Sequence, residues 1–377
     1  MRVRGPVFPR QSLWKHMVEW HEKYGEAKKP VKLETGPWLV TDEALIKTIL
    51  HDQANYVDES AFLRTRNFFP LPHDQRVRVL KRFIGLASPA VEQLPEFLDQ
   101  QFKRLRTLRM QSDGIWLMYS LYKDRIFDPR RASDFNNCVE YYLGRKTVRD
   151  DVQGAFWRLK GKARDELDLK VGELLDQENH VAYDDLVTIV NDVELELLPA
   201  EKSELFLRLV QSLVAFTGAA FELAFYFLAV NPSWLQWLDN ELKARAFILE
   251  LQRLYPTAWR LTRTAARDHY LNGVLVAEGD EVILGHSVAQ KSIEAWGRDS
   301  EIFDPDRWVQ QTQNRLLTFG AGPGVCPGKN IAIKLLTQAV LWVSTNVSEL
   351  QINSPAQEPY VRSILAAPRG EIHFHRK

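Results

Sequence analysis

The chain has 377 residues, with 49 basic and 49 acidic side chains and no formal net charge. That balance argues against a nucleic-acid binder, which would carry a basic excess, while a 45% hydrophobic share is ample for a large core. The only cysteines, Cys138 and Cys326, exclude a disulfide framework and suit a reducing, cytoplasmic compartment.

Met1 to Gln11 is polar and contains prolines, so it reads as neither a signal peptide nor a membrane anchor. Residues 12–24 read as an amphipathic helix ending at Gly25. Val31–Val40 alternates around Gly36-Pro37 and reads as a hairpin. Thr41-Asp42-Glu43 caps a helix running to about His51. The next twenty residues lack periodicity, contain Pro70 and Pro72, and read as a loop.

From His73 to about Val210 the pattern is mainly helical, with breaks near Gly85–Pro89, Ser112–Gly114, Pro129 and Gln177–Val181. The longest helix spans roughly Glu201–Val230 and is stopped by Asn231-Pro232. Arg208, Gln211 and Glu222 interrupt its apolar run, which marks a buried helix rather than a membrane span. Another helix covers about Trp234–Tyr255 and ends before Pro256. Tyr270–Leu284 alternates around Gly273 and Gly279 and reads as short strands. The last helix runs from about Lys329 to Val343, and Glu371–His375 is a further strand. No linker, repeat or low-complexity tract divides the chain, so a single domain over 1–377, mainly α with a small β portion, is expected.

The most informative stretch is Phe319-Gly-Ala-Gly-Pro-Gly-Val-Cys-Pro-Gly328, followed by an apolar helical pattern. Glycines let a backbone turn tightly and approach a flat ligand. Amides at a helix start can stabilise a thiolate. A thiolate so held can ligate haem iron axially and push electron density onto it, favouring O–O cleavage. The alternative is a glycine-rich turn with Cys326 as a small buried hydrophobe.

The spacing F-x-x-G-x-x-x-C-x-G, here Phe319, Gly322, Cys326 and Gly328, resembles the haem-binding loop of the cytochrome P-450 family. Upstream, Glu250-Leu-Gln-Arg253, Pro256, Arg263, the strands and Phe303-Asp-Pro-Asp-Arg-Trp308 follow the order of that family's E-x-x-R motif, strand region and meander. The resemblance implies a cytochrome P-450-like fold, haem b (iron protoporphyrin IX) and Cys326 as the metal ligand. It implies that Glu250, Arg253 and Arg307 brace the pocket without doing chemistry. It implies that Arg263, with Arg260 as a nearby rival, and His73, which opens His-Asp-Gln-Arg-Val-Arg78, contact the haem propionates. Gly324 departs from the pattern, because the family usually places His or Arg two residues before the cysteine, so propionate anchoring must lean on other groups.

The long helix departs further. The family carries an acid followed by threonine beside the haem, which organise proton delivery to iron-bound oxygen. Counting back from Asn231-Pro232, the matching positions are Ala215 and Phe216, followed by Thr217. In a register shifted by a turn Glu222 is the acid, followed by Leu223. Thr217 is left as a partial substitute donor, and Phe216 as a residue filling space over the haem. Substrate contacts are expected from residues 53–72 and from Val214–Gly218.

The reading is a soluble bacterial-type monooxygenase or oxidoreductase acting on a small natural-product intermediate of secondary metabolism, with no membrane or nucleic-acid partner. The resemblance implies that Lys81, Arg82, Lys329 and Lys334 form the basic face that in the family docks an acidic ferredoxin or its reductase; ordinary solvated lysines and arginines are the alternative. A peroxide-driven or dioxygen-independent haem-thiolate enzyme, performing rearrangement, dehydration or ring formation, is the alternative that the missing acid–threonine pair motivates. A non-catalytic accessory protein is the third reading.

Overall fold

The computed structural model describes residues 12–57, 71–143, 162–177, 184–192, 195, 197–310, 315–353, 360–361 and 364–377. The first elements are α1 (Ser12–Tyr24), β1 (Val31–Lys32), β2 (Trp38–Val40), α2 (Glu43–His51) and β3 (Tyr56–Val57). Then come α3 (His73–Ala87), α4 (Pro89–Arg104), β4 (Thr107–Arg109), α5 (Asp113–Ile126), α6 (Ala132–Leu143), α7 (Lys162–Gln177), α8 (Leu186–Val190) and α9 (Pro199–Val230). After them run α10 (Ser233–Trp237), α11 (Glu241–Leu254), β5 (Leu261–Ala265), β6 (His269–Leu271), β7 (Val274–Val276) and β8 (Glu281–Leu284). The short α12 (His286–Ala289), α13 (Ile293–Trp296) and α14 (Asp306–Gln310) precede α15 (Lys329–Asn346), β9 (Val347–Asn353), β10 (Tyr360–Val361), β11 (Leu365–Ala366) and β12 (Glu371–Arg376). The mainly helical class with a small β portion is as expected.

The chain divides into two compact units. One comprises Met1–Phe68, Asn240–Lys329 and Gln357–Ala366; the other comprises Phe69–Asp239, Asn330–Ala356 and Ala367–Lys377. The first unit is built on a five-stranded sheet in the order β1-β2-β8-β5-β3. The expected hairpin is there, with Val31 opposite Leu39. The strand β5 was not legible, because Leu-Thr-Arg-Thr-Ala shows no clean alternation of burial. One face of the sheet packs on α2 through Val40, Ile46, Ile49 and Leu284, all at most 1% exposed. Asp42 starts α2 by accepting the Leu45 N–H at 2.9 Å, a cap of the kind worth about 1 kcal/mol.

In the second unit α9 is buried nearly all round, as a core helix should be. It is the one described helix long and apolar enough to cross a membrane, and 83% of its most apolar window is buried inside the protein. It begins at Pro199, a residue suited to a first helical turn, and Glu201 accepts the Leu198 N–H at 3.0 Å. Gly114 of α5 and Gly218 of α9 let the two helices touch backbone to backbone: a Cβ at 114 would lie 2.4 Å from the Gly218 carbonyl oxygen. A second sheet, in the order β4-β12-β9, joins an early strand to two late ones. Phe102 anchors this core, with Phe374 at 4.7 Å and Trp342 at 5.0 Å between ring centroids.

Two expected boundaries are corrected. The helix over Trp234–Tyr255 is broken into α10 and α11, because Asn240 is extended and accepts the Lys243 N–H at 3.0 Å, which starts a new helix. The stretch from His73 to Val210 contains β4, which forms only because β12 pairs with it, Leu108 opposite Ile372.

Candidate functional site

The first unit carries a buried ionic knot. Arg253 grips Glu250 on α11 through two hydrogen bonds, Nη2 to Oε1 at 2.7 Å and Nε to Oε2 at 2.8 Å, and both side chains are 0% exposed. Such a pair survives burial only when its remaining polar atoms are satisfied, and they are. Glu250 also accepts from Arg307 Nε at 3.1 Å, the Asp304 N–H at 2.9 Å and Trp308 Nε1 at 2.7 Å. Arg253 also donates to the carbonyls of Gln290 at 2.7 Å and Ser300 at 2.5 Å. The expected trio thus meets at one carboxylate. Asp304 and Trp308, which sequence reasoning passed over, complete it; they lie in the same Asp-Pro-Asp-Arg-Trp run as Arg307.

Gln290 ties this knot to the following segment. Its amide oxygen accepts the Leu317 N–H at 2.8 Å, and its amide nitrogen donates to Thr318 at 3.2 Å. From there the backbone folds into a tight loop: the Cys326 N–H donates to the Phe319 carbonyl at 2.7 Å, and the Lys329 N–H to the Cys326 carbonyl at 3.2 Å. Gly322 takes a left-handed φ of 62°, and a Cβ there would strike the His51 ring at 2.6 Å. Glycine is therefore required at this position.

The Cys326 side chain is exposed. Enough protein surrounds the sulfur that lost hydration pushes its pKa up, against the lowering pull of the Gly328 and Lys329 amides and the Lys329 charge. Arg263, on β5, donates to the Thr262 carbonyl at 2.8 Å. Its Nη2 lies 3.3 Å from where a Cβ on Gly324 would stand. Arg260 instead stacks on Trp259 at 4.9 Å, and burial pushes it down to about 10, with Glu281 opposing. Of the two arginines, Arg263 is therefore the one beside the loop. One accessible sulfur, two amides facing it, a glycine at 322 where a side chain would strike His51 and one flanking guanidinium fit a thiolate ligand to haem.

The second unit places the other candidates. The Thr217 hydroxyl is buried and donates to the Leu213 carbonyl of its own helix, so its proton is already committed. Phe216 is half-buried and Ala215 fully buried. The shifted register is ruled out as a source of acid: Glu222 is 1% exposed and accepts the N–H groups of Gln111 at 2.6 Å, Ser112 at 3.0 Å and Gly114 at 2.7 Å. It caps α5. Burial pushes its pKa up to about 8, against the pull of those amides. His73 opens α3, but its side chain lies outside the described residues, as do residues 58–70 of the expected substrate segment. Of the expected basic face, Arg82 pairs with Asp192 at 3.0 Å and Lys334 with Glu92.

Residues 217–345 match the family model for cytochrome P450. The chain is 34% identical over 126 residues to pentalenene oxygenase of Streptomyces avermitilis, which is 32% of this chain and 27% of that one. It is 35% identical over 114 residues to cytochrome P450 716A67 of Medicago truncatula, covering 28% and 22% of the two chains. The matched segments thus span about a quarter of those relatives. Among solved structures, a mutant of P450 EryK in complex with erythromycin B superposes with a TM-score of 0.77 at 15% identity, covering 97% of this chain and 98% of that one. P450 OxyD, involved in biosynthesis of vancomycin-type antibiotics, gives 0.75 at 17% identity over 100% and 98%. The fold is that of the P450 structures, and residues 217–345 are the part of the chain that matches the family model.

Proposed function

We propose that the whole chain, 1–377, acts as one cytoplasmic haem-thiolate domain that oxidises a small natural-product intermediate. The observation that carries this is the Cys326 loop: an accessible sulfur, faced by the Gly328 and Lys329 amides, on a backbone hung from the Glu250–Arg253 knot through Gln290. Cys326 would ligate the iron of haem b, and Arg263 would neutralise a propionate, with His73 as a second contact. The bound haem would supply the oxidising chemistry. Phe216 would limit the space open to substrate. Thr217 could accept but not donate a hydrogen bond there while its proton stays on the Leu213 carbonyl. Natural-product chemistry is suggested by the fold neighbours EryK, solved with erythromycin B, and OxyD, involved in making vancomycin-type antibiotics.

Electrons would come from a ferredoxin and its reductase. The peroxide-driven or dioxygen-independent alternative is favoured by one specific observation, the Ala215-Phe216 pair with Thr217 committed to its own helix. A non-catalytic accessory role is disfavoured by the accessible Cys326. The test is turnover of the haem-loaded protein on a panel of terpene, macrolide and peptide intermediates. Oxidation that needs ferredoxin, reductase and dioxygen supports the main reading, oxidation with hydrogen peroxide alone supports the alternative, and haem-free protein removes both.

A further inference from the structure

The helix α2 lies against the loop that carries Cys326. Its last residue, His51, is exposed, yet its ring is anchored. His51 Nδ1 is 2.7 Å from the Lys47 carbonyl oxygen, one turn back on the same helix. A carbonyl only accepts, so Nδ1 carries the proton, and the bond sets the orientation of the ring. Held this way, the ring meets Gly322: a Cβ there would lie 2.6 Å from Cδ2, 2.8 Å from Nε2 and 2.9 Å from Cγ. Three nearly equal distances place that point over the face of the ring, not at its edge. Gly322 leads directly to Cys326, because its carbonyl accepts the N–H of Val325, the residue before the cysteine, at 3.1 Å. The same face of α2 also reaches the start of this segment. Glu43 and Lys47, in line with His51 along the helix, pair at 2.6 Å, and Glu43 Oε2 lies 3.9 Å from Arg315 Nη2. Contacts from α2 therefore bracket the segment, at Arg315 and at Gly322.

We propose that His51 is a positioning residue for the haem ligand: the face of its ring, steered by the Lys47 carbonyl, packs on Gly322 and holds the turn from Gly322 to Cys326 in the shape that presents the sulfur. The inference rests on the haem-thiolate reading above. Glycines widen the range of shapes a backbone can take, and Gly320, Gly322 and Gly324 all fall in this turn. A rigid ring against its middle glycine narrows that range. Without the ring, the turn reaches shapes in which the sulfur is displaced, and thiolate ligation is lost more readily. The role is one of shape rather than charge, so a phenyl ring serves in its place. Removing the ring also makes room for a Cβ at 322.

The experiment uses haem-loaded full-length protein: wild type, His51→Ala, His51→Phe, Gly322→Ala and the double variant Gly322→Ala/His51→Ala. Each is reduced with dithionite under carbon monoxide, and the decay of the red-shifted Soret band is followed in mild urea. Thermal midpoints are recorded alongside, so that loss of ligation is separated from general loss of stability. The expected result is a several-fold faster decay in His51→Ala at a midpoint near wild type, with His51→Phe decaying near the wild-type rate. Gly322→Ala should lose the band fastest, or never form it, and the double variant should recover part of the loss. A wild-type decay rate in His51→Ala or in Gly322→Ala would overturn the inference while leaving haem-thiolate binding intact. So would decay in His51→Phe as fast as in His51→Ala, or a double variant no better than Gly322→Ala. Faster decay in His51→Ala matched by a fall in its thermal midpoint would overturn it too, because ordinary destabilisation would then be the cause. Wild-type protein that takes up no haem would overturn the underlying reading, and the inference with it.

Discussion

Arg263 occupies the space that a side chain at Gly324 would fill: a Cβ built at 324 stands 3.3 Å from its Nη2. The missing cation two residues before Cys326 and the arginine on β5 are thus one arrangement. Alanine at 324 asks a flexible guanidinium to yield by a few tenths of an ångström, whereas histidine requires it to leave. Haem retention is expected to be near wild type in Gly324→Ala and several-fold lower in Gly324→His. The double variant Gly324→His/Arg263→Ala should be no worse than Arg263→Ala alone, because both changes remove the same contact. Haem dissociation rates check this, and additive losses would contradict it.

The Glu250 knot predicts a stability effect. Glu250→Gln removes one charge from a fully buried, fully hydrogen-bonded pair and leaves Arg253 uncompensated. Breaking such a pair costs about 3–5 kcal/mol. Urea unfolding should show a loss of that size, and a loss of under about 1 kcal/mol would mean that Glu250 is not the hub.

Glu222 predicts a pH dependence. Its folded-state pKa, pushed up to about 8, lies above the ordinary carboxyl value of 4.5. Between those values the folded state holds a proton that the unfolded state has released, so stability falls as pH rises through that window and levels off above about 8. Glu222→Gln should flatten the slope of unfolding free energy between about pH 5.5 and about pH 8 relative to wild type. An unchanged slope would contradict the assignment.

Thr217 predicts a small effect where the family pattern would predict a large one. A side chain that relays protons in the reaction contributes roughly 10²–10⁴-fold. Because the Thr217 hydroxyl donates to Leu213, Thr217→Val should lower turnover by well under ~10²-fold, whichever oxidant is used. A larger loss in steady-state rate would show that the hydroxyl turns away from its helix during the reaction.

Local signals made much of this legible. Asp42 and the Asn231-Pro232 stop lie beside the helices they bound, and Phe319, Gly322 and Cys326 form one short loop. Relationships that depend on distant partners were not legible. β4 exists because β12 pairs with it, and Glu222 looked like a candidate acid until its three amide donors, far away in the chain, were seen. Nor does sequence spacing show that Arg263 and Gly324 share one space, since that strand and that loop meet only in the fold.

The central claim is that Cys326 ligates haem as a thiolate. The direct measurement is the absorption spectrum of the purified protein, reduced with dithionite and exposed to carbon monoxide, for wild type and Cys326→Ala. A strongly red-shifted Soret band in wild type that is lost in Cys326→Ala is the predicted result. A wild-type protein that binds no haem under ample haem supply, or a band that survives in Cys326→Ala, would contradict it.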